Sequence, residues 1–132
     1  MKVVVAATEK QEEKLEELIQ YFYTSIFPQY FDDDEISEFL NLKILQVPKE
    51  KDERLFTLDG AFRAICSIEV IILILESNID KDFSDLFNKN AEILIESGLF
   101  FPFSYSNFTS RNRSEANVIV SMYSNATNQL LM

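Results

Sequence analysis

For conventional acid–base chemistry this 132-residue chain offers only carboxylates, tyrosines and lysines. Histidine is absent. That absence removes Ser-His-Asp and Cys-His catalysis, His-ligated zinc and the Glu-x-x-His pairs of di-iron bundles. With two glycines there is no phosphate-cradling loop of the GxGxxG or GxxxxGK[ST] kind either. Among the carboxylates, Glu69 stands out because it interrupts the most apolar stretch of the chain, with Glu76 seven residues on along nearly the same helical face. A carboxylate buried among apolar side chains is harder to ionise, which makes Glu69 the candidate buried acid. The competing account is a helix edge reaching solvent, or a pair with Lys or Arg.

The run Asp32, Asp33, Asp34, Glu35 could attract a hard cation, since Ca²⁺ and Mg²⁺ prefer oxygen ligands. Contiguous acids point in different directions, however, and the alternating Asp/Asn pattern with Gly of a calcium loop is missing. The run reads as a helix start, and no metal or cofactor is expected. Cys66, the single cysteine, sits inside the apolar stretch, where burial leaves a thiol inert. Phe100, Phe101, Phe103, Tyr105 and Phe108 place five aromatics within nine residues. Beside an acidic body they form the candidate partner-binding group, an apolar anchor with a charged rim. The alternative is that they complete the core. Accessibility separates the two, since a binding patch leaves at least two rings exposed.

The elements that position these groups are read as helices. Residues 57–77 place Ile65, Ile72, Ile68, Ala61 and Leu75 on one side of a helix and Cys66, Leu73 and Phe62 on another, so the expectation is a central helix covered all round. Thr57 is a suitable N-cap, and Gly60 weakens the first turn. The unbroken apolar run 70–75 is far short of the roughly 20 residues of a membrane span. Upstream, Thr8 and Gln11 make a capping-box pattern before a stripe of Leu15, Leu18, Ile19, Phe22 and Ile26, and Pro28 should end that helix. A second helix with Ile36, Phe39, Leu40, Lys43 and Ile44 should stop before Pro48. Asp80 can cap a fourth helix, with Gly98 as a left-handed C-terminal cap. Residues 118–123 are strand-like and could pair with 3–5 in a short two-stranded terminal ribbon.

The fold class expected is therefore mainly α, about four helices packed around a central apolar helix, in one domain over 1–132. Its helical body is about 8–98 and its aromatic and polar C-terminal segment is 99–132. The net charge of −10 disfavours nucleic acid and anionic membranes, leaving a protein partner of basic character. One cysteine and a short apolar N-terminal run point to a cytoplasmic protein.

The opening segment AATEKQEEKLEELIQYFYTSIFPQYFDDDEISEF resembles small uncharacterised proteins of Bacillus-type bacteria. The resemblance implies an intracellular bacterial protein of unknown function and carries no site residues. The function expected is a non-catalytic acidic interaction or accessory module. The alternatives are a small carboxylate-based enzyme or ligand-binding helical protein, and an acidic decoy of a nucleic-acid-binding protein.

Overall fold

The computed structural model describes residues 5–48, 54–77, 79 and 81–109. It is mainly helical. Helix α1 (Glu9–Tyr21) opens on the expected capping box: the Thr8 hydroxyl accepts from the Gln11 N–H at 3.1 Å, and the Gln11 amide oxygen accepts from the Thr8 N–H at 3.0 Å. The helix does not run unchanged to Pro28. It passes into a π turn over Phe22–Ile26, closed by the Phe27 N–H on the Phe22 carbonyl, and then a 3₁₀ turn over Phe27–Gln29. The wider turn advances the chain by one extra residue, and Phe22, Ile26 and Phe27 are all buried.

Helix α2 (Asp33–Asn41) starts from a second capping box. The Asp32 carboxylate accepts from the Glu35 N–H at 2.8 Å, and the Glu35 carboxylate accepts from the Asp32 N–H at 3.1 Å. Pro48 does not stop this helix; the chain turns earlier, at Lys43 with φ 60°. The Lys43 N–H reaches the Leu40 carbonyl and the Ile44 N–H the Phe39 carbonyl, a Schellman ending in which lysine occupies the left-handed position usually given to glycine. Buried Ile44 and Phe39 supply its apolar contact.

Helix α3 (Leu58–Glu76) is capped by Thr57, whose hydroxyl accepts from the Gly60 N–H at 2.9 Å. The segment before it pairs with the start of the chain: Ala6 and Thr57 form an antiparallel bridge, with Ala7 N–H on the Phe56 carbonyl and Leu58 N–H on the Val5 carbonyl, each at 2.8 Å. The pairing anticipated between 3–5 and 118–123 lies outside the described residues. Helix α4 (Ser84–Ser97) runs back antiparallel to α3, as the short 77–83 connection and the Arg63–Glu96 approach require. Asp80 also lies outside the described residues; Asp82 holds the start of α4, accepting from the Ser84 N–H at 2.9 Å. The Ser84 side chain and N–H together keep that carboxyl below the usual carboxylate range. Gly98, at φ 105°, ends α4 as expected, with the Leu99 N–H on the Leu94 carbonyl.

The centre of the molecule is aromatic. Phe22, Phe27, Phe31, Phe39, Phe87, Phe101, Phe103 and Phe108 are buried and join in edge and tilted ring contacts 5.0–6.1 Å between centroids. Edge-to-face pairs add roughly 0.5–1.5 kcal/mol beyond the area they bury. Helix α3 is consequently one wall of this core, packed by α1 on one flank and α4 on the other. The expectation that it is covered all round is corrected: its third side faces solvent.

Candidate functional site

Taking Phe62 as the origin of a helical wheel at 100° per residue, Leu58, Cys66, Glu69, Leu73 and Glu76 all fall within 40° of it. This is the side that neither flanking helix covers. Phe62 is 61% exposed and Leu73 69%, and Cys66 and Glu69 between them are exposed as well. Leu58 is partly open at the first turn, with exposed Val5 bonded to its N–H. At the other end the Tyr21 hydroxyl donates to the Glu76 carboxylate, and that bond holds the phenol above its usual pKa. The residues form one strip, apolar with carboxylates set into it. Opposite it, Ile68 and Ile71 are completely buried, and Ile72 lies nearer the edge of the core.

Two site expectations are corrected here. Glu69 is not a buried acid; it points outward from the solvent side of α3, whose buried side is turned towards α1 and α4. Cys66 shares that side and is exposed rather than sealed in. The buried acid of the described residues is Glu35, 1% exposed, which closes the α2 capping box. Its signal was present in the sequence as an Asp followed three residues later by Glu, the N-cap arrangement that satisfies two backbone donors at once.

The aromatic group is corrected as well. Phe101, Phe103 and Phe108 are buried, and Phe100 and Tyr105 are half-buried. Phe101 packs on Phe22 and Phe87, Phe103 on Phe27, Phe31 and Phe39, and Phe108 on Tyr30, Phe31 and Phe87. The backbone is fixed too: the Leu45 N–H donates to the Phe100 carbonyl at 2.7 Å and the Tyr105 N–H to the Asn88 side chain at 3.2 Å. The five rings therefore make no exposed patch. A short helix α5 (Ser106–Thr109) follows them.

The arrangement offers no converging set of acid–base groups among the described residues. Asp32 and Glu35 serve the helix start, while Asp33 and Asp34 are exposed in its first turn. No group of three or more His, Cys, Asp or Glu among the described residues could hold a metal ion. Nor is any helix there long and apolar enough to cross a membrane.

Residues 1–113 match a family described as a family of unknown function, DUF5365, and the chain belongs to that family. A relative from Bacillus subtilis (strain 168), the uncharacterized protein YhcU, is 32% identical over 111 residues, covering 82% of this chain and 83% of its own length. The likeness noted in the opening segment thus extends through the helical body. No solved structure matches the chain.

Proposed function

We propose that this protein is a non-catalytic, acidic cytoplasmic interaction module that engages another protein through the outer strip of α3. The observation that carries the reading is the alignment of Leu58, Phe62, Cys66 and Leu73 on the uncovered side of a helix whose other sides are buried. Isolated exposed apolar residues are ordinary on a protein surface. A contiguous strip on a rigid helix is not, because every ring or branched side chain left in water forgoes burial worth roughly 1.5–3 kcal/mol.

The test is affinity capture from a Bacillus-type cell extract with the parent chain and a Phe62→Ser/Leu73→Ser variant. Both positions are solvent-facing, so the variant should keep its helical circular dichroism and denaturation midpoint. Proteins captured by the parent and lost by the variant support the reading. Identical capture by both chains removes α3 from it.

A further inference from the structure

Building on that reading of the strip as a docking surface, we infer that its occupant is a basic amphipathic helix of a different protein. Phe62, Cys66, Glu69, Leu73 and Glu76 follow one another at steps of four, three, four and three residues. That alternation returns every seven residues and keeps one seam facing a neighbouring helix crossing at a shallow angle. From Leu58 to Glu76 the seam is about 27 Å long at 1.5 Å per residue, room for a helical partner of about five turns.

The carboxylates decide the chemistry of that partner. Glu69 lies at the middle of the seam, Glu76 at its end, and Asp59 beside its start. The nearest cation on α3, Arg63, already faces Glu96 at 3.9 Å. A second copy of this chain fits badly. In a parallel pair Glu69 would meet Glu69, and in an antiparallel pair centred between Phe62 and Leu73 the two Glu69 side chains would flank the dyad. Either arrangement brings like charges into an apolar contact, between bodies each of net charge −10. An anionic membrane surface is opposed by the same charge. A helix presenting Leu, Ile or Phe towards Phe62 and Leu73, with Lys or Arg between them opposite Glu69, buries the apolar groups and pairs the carboxylate.

Cys66 reports on coverage, because it is the single thiol of the chain and lies in the seam. The experiment follows its alkylation by a maleimide in the full-length protein at low concentration. The probes are a helical peptide of about 18 residues with Leu along one face and Lys on the rest, and the same peptide with Glu in place of Lys. The Leu/Lys peptide should slow alkylation about tenfold or more at saturation, and the Leu/Glu peptide should not. Phe62→Ser should abolish the protection, Glu69→Lys should transfer it to the Leu/Glu peptide, and Asp33→Lys, away from the seam, should leave it unchanged.

Equal protection by both peptides, still dependent on Phe62, would overturn the basic partner while leaving the docking surface in place. Protection that survives Phe62→Ser, or that disappears with Asp33→Lys, would show general charge attraction and overturn the seam. Protection by neither peptide overturns both readings. A thiol already slow in the dilute, peptide-free protein would mean that the chain covers its own seam, and protection rising with protein concentration alone would make the occupant a second copy. Either result refutes the inference.

Discussion

At Gly60 a methyl group has nowhere to go: a Cβ built there would stand 1.6 Å from the Arg54 carbonyl oxygen and 2.8 Å from the Thr57 hydroxyl. Gly→Ala inside a helix usually gains about 0.5–1 kcal/mol by restricting the unfolded chain. Here the sign reverses, and Gly60→Ala should lose on the order of 3 kcal/mol in urea denaturation, with a gain excluding the close approach. The sequence shows only a glycine that weakens a helix start; what it cannot show is the backbone of residue 54 folded over that turn. Tyr23 carries a different kind of dependence. Its hydroxyl donates to the Ile44 carbonyl, and burial pushes its pKa from 10.0 up to about 12. Between those values the unfolded chain gives up the phenolic proton before the folded one does, so rising pH favours unfolding. The contribution is complete below pH 10 and lost towards pH 12, amounting to about 3 kcal/mol. Tyr23→Phe should cost about 1 kcal/mol at pH 7 through the lost hydrogen bond, and should remove that alkaline decline. A parent–variant difference identical at pH 8 and pH 11.5 would contradict this.

Helix ends show how far local chemistry can be read. Thr8, Asp32, Thr57 and Gly98 each stand where side-chain oxygen or backbone freedom is needed, and each was legible because a cap depends on a few neighbouring residues. The end of α2 was not legible, because its left-handed residue is a lysine where a glycine would have announced it. Lys43 is exposed and its φ is 60°, so Lys43→Gly loses no packing and relieves the steric cost of a Cβ in that region. A gain of about 1 kcal/mol in denaturation is expected; a loss would show that the lysine side chain contributes more than its backbone costs. Leu45, at φ 52°, is the contrasting case, since its side chain is completely buried and glycine there would forfeit that contact. The phase of α3 was harder still. Apolar residues lie on nearly all its sides, so periodicity alone leaves the outward direction open. Glu69, the one charged residue between Arg63 and Glu76, reads in the sequence as a buried acid; it lies on the solvent side, and Phe62, Cys66 and Leu73 share its direction.

Across the whole molecule, the rings of 99–108 close the core that the π turn, the 3₁₀ turn and α2 leave open. Which distant rings meet is set by tertiary packing, and a cluster of phenylalanines in sequence looks the same whether it faces water or other rings. Phe103→Ser should therefore act on folding, removing contacts with five buried rings and costing roughly 3–5 kcal/mol, as truncation of a core phenylalanine does. A variant with parental stability would return the segment to the surface. The π turn at Phe22–Ile26 also bears on how this chain tolerates changes in length. Exposed Thr24 is the kind of position where a one-residue deletion looks harmless. Losing one residue there would let the turn relax to an ordinary helix with the flanking side chains keeping their faces. Losing exposed Gln20 from the regular turns of α1 would instead rotate everything before it by about 100° relative to everything after. Leu15 and Ile19 would swing out of the core and a row of glutamates would move towards it, although no buried side chain had been touched. Residue count within α1 is thus itself a structural constraint, relaxed at the π turn, and one that substitution scanning passes over and a deletion scan would expose.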